Sequence, residues 1–338
     1  MKKPNKVAID GDIIAFKAAS AIEDRYIVVT HVPSGRVKQF DSRTDFYGHH
    51  SKKAGGWLGD VNAERIEQGK EPFDLSEFVI EDDRDVEPLE HSLHIAKQLI
   101  QGIVKACGVD EYVIVGDGED NFRKEVATIC EYKGNRKDLI RPLYLDEVKE
   151  YLATKHPFVS THSLEGDDVL SIMAYRGEAI QCTIDKDAYM TPCWLYDFDK
   201  ADKPFEIKDG VGKLWEDGKG KHRAMGFKSL CKQLLCGDTT DAILPRALTN
   251  KRFGEKKAVA LLSPLKSKKD CLQAVLDTYK TWYGTPVEYL HWNTGEEITA
   301  SYFDIASEMF TLLYMLRDYD DNTTLSSLCD ELDVKVEL

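Results

Sequence analysis

The chain has 338 residues, 59 acidic and 45 basic side chains, and a formal net charge of −14 at pH 7. That length suits one large domain or two modest ones; a mean hydropathy of −0.40, without a long apolar stretch, predicts a soluble protein with no membrane span. Eight cysteines form no CxxC pair, and the basic start Met1–Lys6 runs into Asp10 and Asp12 rather than an apolar signal core, so reduced thiols in a cytoplasmic protein are expected.

Taken in chain order, Val7-Ala8-Ile9 is an apolar run ending on Asp10, and a helical stretch follows to about residue 22. Tyr26–Phe40 holds two β-prone runs broken by Val32-Pro33-Ser34-Gly35, the pattern of a hairpin. Residues 42–87 are polar and acidic, densest at Glu81-Asp82-Asp83-Arg84-Asp85, and read as an irregular insertion. Leu89–Ala106 carries apolar residues at helical spacing (Leu93, Ala96, Leu99, Ile100, Ile103). It leads into Tyr112–Val115, which ends in Gly116-Asp117. Arg123–Glu150 is charged and weakly helical. Leu164-Glu165-Gly166-Asp167-Asp168 opens a helix with three acids, a third apolar run from Ile180 to Ile184 ends on Asp185, and Trp194–Pro204 reads as short strands.

Further on, Phe227, Leu230, Cys231, Leu234 and Leu235 mark an amphipathic helix ending at Cys236-Gly237-Asp238. Ala242–Leu262 reads as two short helices around Arg252-Phe253-Gly254. Segments 268–284 and 300–317 are helical.

Short Val/Ile runs alternating with helices predict a buried parallel sheet, an α/β fold. Ligands of open α/β sheets bind at the carboxyl ends of the strands, where Asp10, Asp117 and Asp185 would sit together. One such Asp is ordinarily a helix cap. Three side by side repel: at ~4 Å each pair costs roughly 4 kcal/mol even at an effective dielectric of about 20. The acidic helix start adds Glu165 and Asp168, three residues apart and on one face. An all-oxygen set of this kind points to Mg²⁺ or Mn²⁺ rather than zinc.

The net charge argues against a nucleic-acid partner, but its distribution does not. Between Lys203 and Lys269 there are 16 Lys+Arg and 7 Asp+Glu, a local balance of +9 that leaves −23 on the rest. A basic stretch inside an acidic chain reads as a surface that follows phosphates.

The motifs together resemble the 5′-nuclease superfamily: flap endonucleases, phage 5′–3′ exonucleases and the 5′-nuclease domain of bacterial DNA polymerase I. The likeness runs over about residues 6–23 and 111–263. It is carried by Ile9-Asp10-Gly11 with Phe16-Lys17, by Val115-Gly116-Asp117, by Asn121-Phe122-Arg123-Lys124-Glu125 and by Tyr132-Lys133-Gly134-Asn135-Arg136. Glu165-Gly166-Asp167-Asp168, Ile184-Asp185-Lys186-Asp187 and Gly237-Asp238-Thr239-Thr240-Asp241-Ala242-Ile243-Leu244-Pro245 complete it. The chain departs from the family where a glycine-rich hairpin is usual: only Gly254-Glu255-Lys256-Lys257-Ala258 keeps that pattern. The insertion 42–87 has no counterpart.

The resemblance implies a PIN-like nuclease core over 1–200, with an arch segment at 123–150, and a helix-3-turn-helix DNA-binding and helical region over 201–338. It implies two Mg²⁺ ions, replaceable by Mn²⁺, held by acids matching Asp10, Asp117, Glu165, Asp167, Asp168, Asp185, Asp187, Asp238 and Asp241. Lys133 and Arg136 would meet the scissile phosphate, with the arch polar enough to be mobile until it meets a 5′ strand. Lys17, Arg123, Tyr132, Lys256 and Lys257 would contact DNA. The function implied is a Mg²⁺-dependent 5′–3′ exodeoxyribonuclease or flap endonuclease. It would act as a monomer on DNA with a 5′ end, flap or gap, or on an RNA–DNA hybrid, in phage DNA replication or degradation. A catalytically silent DNA-binding module and a PIN-type ribonuclease are the alternatives. A Rossmann or P-loop enzyme is disfavoured, since no GxGxxG follows the first strand and Gly212-Lys213-Leu214 lacks the Ser/Thr of a Walker motif.

Overall fold

The computed structural model describes residues 1–49, 55–137 and 139–336. Its central sheet has six strands in the order Phe158–Val159, Glu111–Val115, Lys6–Asp10, Ile180–Cys182, Trp194–Tyr196, Phe205–Glu206. The first five are parallel and the last is antiparallel. The strand Lys6–Asp10 sits inside the sheet, and Val7, Ala8 and Ile9 are wholly buried. A strand covered on both faces has no place for alternating polar residues, so its sequence is a continuous apolar run. The helix Gly166–Tyr175 packs Val169, Leu170 and Met173 against Ala8, Val113 and Val115 of the sheet.

This sheet does not end its compact unit near residue 200. Met1–Phe16, Ala96–Arg141 and Leu145–Leu338 form one unit, so the expected division into 1–200 and 201–338 is not the one the contacts give. A single apolar cluster explains this. It joins Ala127, Tyr132 and Met190 to the helices Phe227–Cys236, Lys268–Trp282 and Tyr302–Leu313, through Leu230, Leu234, Val275, Tyr279, Ile305 and Phe310. Those three helices lie where the sequence predicts them. Of the two short helices expected over 242–262, only Glu255–Leu262 forms. The chain before it turns instead, with a bridge between Asp238 and Ile243. Gly237 has φ +76°, and a Cβ there would lie 2.2 Å from the Ile243 carbonyl oxygen, so the turn requires glycine.

The second unit comprises Lys17–Ile95 and Pro142–Tyr144. Its antiparallel sheet has the order Arg36–Phe40, Glu23–His31, Phe78–Val86, and the first two strands are the hairpin expected over 26–40. The irregular insertion expected at 42–87 is corrected: it holds the helices Arg43–Tyr47 and Trp57–Glu67 and the nine-residue strand Phe78–Val86, although 50–54 lie outside the described residues. Ile27, Val29, Phe40, Phe46 and Leu58 form its core, with Trp57, Phe73 and Phe78 packed on it. The acids at 81–85 hide the strand in the sequence, because pairing to Glu23–His31 rather than side-chain preference makes it extended.

Candidate metal centre

The three acid-tipped strands are neighbours, and their register levels them: Asp10 lies opposite Val115 and Ile9 opposite Cys182. Asp10 ends its strand, while Asp117 and Asp185 follow theirs by two and three residues. The acidic helix starts at the same edge because the Gly166 N–H donates to Asp117 Oδ1 at 2.8 Å. Close packing at this edge also fixes Gly11, where a Cβ would lie 2.8 Å from the Val115 carbonyl oxygen.

The acids crowd one another. Asp10 is buried and accepts from the Ile13 N–H (3.0 Å) and from the Thr183 hydroxyl (2.7 Å). Burial, with Asp12 and Asp185 adding to it, pushes its pKa up to about 7 despite those hydrogen bonds. Asp167 is pushed well above the carboxylate range by burial, then by Asp185, Asp10, Asp187 and Glu165. Asp187 is raised to about 7 by burial and Asp185, although Gln233 Nε2 donates to it at 2.6 Å. Asp117 is raised too, first by desolvation and then by Asp12. Ligand oxygens of Asp187, Asp238 and Asp241 all lie within 4.8 Å of one another. Hard oxygen donors that raise each other's pKa values fit a divalent cation such as Mg²⁺.

Four side-chain cations, Lys133, Arg123, Arg136 and Lys186, sit among these acids. Glu165 immediately precedes the acidic helix and takes an ion pair from Lys133, a hydrogen bond from Tyr132 Oη (2.9 Å) and one from Arg123 Nη1 (3.2 Å). Asp241 pairs with Arg136; burial raises its pKa, and Lys133 and Arg136 oppose the rise. Asp238 is buried but pairs with Lys186 at 2.5 Å and accepts from the Thr240 N–H at 2.8 Å, which together outweigh burial and hold its pKa low. Lys133 has left-handed backbone (φ 57°), and its N–H donates to the Asp241 carbonyl at 2.9 Å. Burial alone would lower its ammonium pKa, but Glu165 and Asp241 raise it overall.

Three expectations change. Arg123 is fully buried, so it cannot contact DNA. It engages both oxygens of the equally buried Asp168 and the carbonyls of Leu312 (3.0 Å) and Tyr314 (2.9 Å). Both carboxylate oxygens of Asp168 are thereby engaged by Arg123. Tyr132 is 7% exposed with its hydroxyl on Glu165, a support for the acids rather than a DNA contact. The segment 123–150 is not an unpacked arch: Ala127 and Tyr132 belong to the core, Asn135 Nδ2 bonds the Thr239 carbonyl at 2.6 Å, and Leu145–Lys155 is a helix burying Leu145, Val148 and Leu152. Residue 138 of that segment lies outside the described residues. Lys133 pairs with Glu165.

Lys256 and Lys257 are exposed in the first turn of Glu255–Leu262, while Lys17 is half-buried in the helix Gly11–Ser20 and falls in the second unit. Sequence reasoning missed Thr183, Lys186 and Gln233, which hold Asp10, Asp238 and Asp187. A lysine flanked by two acids was a usable signal for Lys186. Nothing local marks the other two.

No family model and no curated protein matches the chain. Solved structures similar to it include a bacteriophage T5 protein co-crystallised with metal ions (14% identity, TM-score 0.39, covering 71% of this chain and 85% of that one). A mutant T5 5′-exonuclease is similar at 14% identity and TM-score 0.37, covering 71% and 84%. So is a bacteriophage T5 flap endonuclease in a pseudo-enzyme–product complex with DNA and metal ions, at 15% identity and TM-score 0.39, covering 71% and 83%. At those scores the functional reading rests on this chain's own residues.

Proposed function

We propose that the protein is a Mg²⁺-dependent 5′ nuclease, hydrolysing phosphodiester bonds at DNA 5′ ends as a 5′–3′ exonuclease and flap endonuclease. The observation that carries the reading is a linked set of carboxylates at one sheet edge, with Lys133 and Arg136 already paired to two of them. The motif order resembling the 5′-nuclease superfamily supports it.

Two Mg²⁺ ions, or Mn²⁺ in their place, held among Asp10, Asp117, Glu165, Asp167 and Asp185 and among Asp187, Asp238 and Asp241, would supply Lewis-acid polarisation of the phosphate and a more acidic attacking water. Thr183 and Gln233 hold Asp10 and Asp187 in position. Lys133 and Arg136 would exchange their carboxylate partners for the non-bridging oxygens of the scissile phosphate, where charge builds as the bond breaks. Arg136 can make that contact through two parallel N–H donors. The basic stretch 203–269 would follow the backbone, with Lys256 and Lys257 at a helix start that itself favours phosphate. Action as a monomer on 5′ ends, flaps, gaps or RNA–DNA hybrids, and a place in phage DNA replication or degradation, follow from the same resemblance.

The test is cleavage of 5′-labelled duplex and flap DNA in Mg²⁺, in Ca²⁺ and in EDTA. Mg²⁺-dependent release of 5′ nucleotides, lost in Asp187→Asn, is expected. Binding without cleavage in any divalent metal would indicate a silent module, and cleavage of RNA alone a ribonuclease.

A further inference from the structure

Lys186 and Gln233, which hold Asp238 and Asp187, also line a cavity of about 720 Å³. One part of its wall is aromatic: Tyr189 lies 5.9 Å from Phe205 and 6.5 Å from Trp215, centroid to centroid. Trp215 comes from the hairpin Lys213–Glu216/His222–Met225, which pairs antiparallel. Five cations also line it. Lys186, Lys200, Lys221, Arg223 and Lys232 face two acids, Asp217 and Glu255, which Arg223 and Lys232 already pair.

The acids behind this wall are hidden while the cations are not. Lys186 and Lys200 have about half of their side chains exposed, whereas their partners Asp238 and Asp197 are buried. Among the described residues no carboxylate pairs with the exposed Lys221. The accessible face is therefore positive inside a chain of net charge −14. Gln233 also lines the cavity, with its Nε2 donating to Asp187.

Inorganic phosphate would have no use for three rings, and an apolar ligand none for five cations. A flat heteroaromatic ring joined to a phosphate uses both the rings and the cations. We infer that this cavity binds a nucleoside 5′-phosphate. Its base lies against Tyr189, Phe205 and Trp215, and its phosphate on Lys200, Lys221 and Arg223. The ligand is either a free mononucleotide or the terminal unit of a strand. The inference does not rest on the nuclease reading, because no metal and no cleavage enter it.

Calorimetric titration of the full chain in EDTA with deoxyadenosine 5′-monophosphate tests it, with deoxyadenosine and inorganic phosphate as the separate halves. Saturable binding, tighter than either half, is expected. Lys221→Glu should weaken it by about tenfold or more through lost phosphate contact, and Trp215→Ala should do so through lost stacking while Trp215→Phe retains it. Lys221 is exposed, so its variant tests the site without endangering the fold. Asp241→Asn should keep nucleotide binding while cleavage is lost, which separates failure of this inference from failure of the proposed activity. A 5′-phosphorylated tetranucleotide binding more tightly than the mononucleotide would identify a strand end, and the reverse order a free nucleotide. Absence of saturation, phosphate binding as tightly as the nucleotide, or an unchanged affinity in Lys221→Glu would overturn the inference.

Discussion

Arg123 and Asp168 form a two-point ion pair that solvent does not reach: Nη1 to Oδ2 is 2.5 Å and Nη2 to Oδ1 is 2.8 Å. Of the remaining guanidinium donors, one reaches Glu165 and two reach the carbonyls of Leu312 and Tyr314, so the pair ties the acidic helix to the end of the helix Tyr302–Leu313. A buried pair of this kind stabilises little relative to apolar residues, but removing one partner strands the other charge.

Arg123→Ala and Asp168→Asn are therefore expected to lower stability by roughly 3–5 kcal/mol, and the double change Arg123→Met with Asp168→Leu by much less. Urea denaturation measures all three. If Asp168→Asn kept full stability and lost only cleavage, Asp168 would be a ligand after all.

The raised carboxylates make a prediction about pH. Asp10 and Asp187 titrate near 7 in the folded protein against an ordinary 3.8. Between those values the folded state holds protons that the unfolded chain has released. Their contribution to stability is thus complete below about pH 4 and lost as pH rises through 7. In EDTA, Asp10→Asn should remove part of that loss, on the order of 2–4 kcal/mol at pH 8 and nearly nothing at pH 4. Mg²⁺ should restore stability at pH 8, by about 2.7 kcal/mol at a hundred times its dissociation constant. Thermal unfolding over pH 4–8, with and without Mg²⁺, checks both parts. A variant no more stable than the parent at pH 8 would refute the repulsion.

Lys133 forms an ion pair with Glu165. Lys133→Ala should lower the single-turnover rate by about 10²–10³ while leaving duplex affinity in Ca²⁺ nearly unchanged. Poor binding with a normal rate at saturating enzyme would make it a docking residue.

For Lys256 and Lys257 the expected outcome concerns salt. Both are exposed at the start of Glu255–Leu262. Changing both to Glu should weaken DNA binding and reduce the log–log salt slope by about 0.9 per lost phosphate contact. An unaltered slope would mark them as ordinary surface lysines.

The strand-end acids were legible because the signal is local. Three apolar runs, each followed by an Asp, need only be neighbours in a parallel sheet to place Asp10, Asp117 and Asp185 at one sheet edge. The helices at 227–236 and 268–282 were legible for the same reason, an apolar spacing that fits one face. The strand Phe78–Val86 was not, since its run of acids suits a strand only when Glu23–His31 lies beside it.

The sequence by itself determined that carboxylates gather at one sheet edge, and that lysines and arginines accompany them. Only the tertiary structure decided which acids stay open. Asp167 and Asp168 are adjacent in the chain, but successive helical residues point about 100° apart. That rotation puts Asp167 among Asp10, Asp185 and Asp187, and Asp168 against Arg123, which no motif distinguishes. The same holds for Arg123, which sits in a charged run that reads as surface. It is buried because Asp168 and two carbonyls, one of them 191 residues away, satisfy its donors.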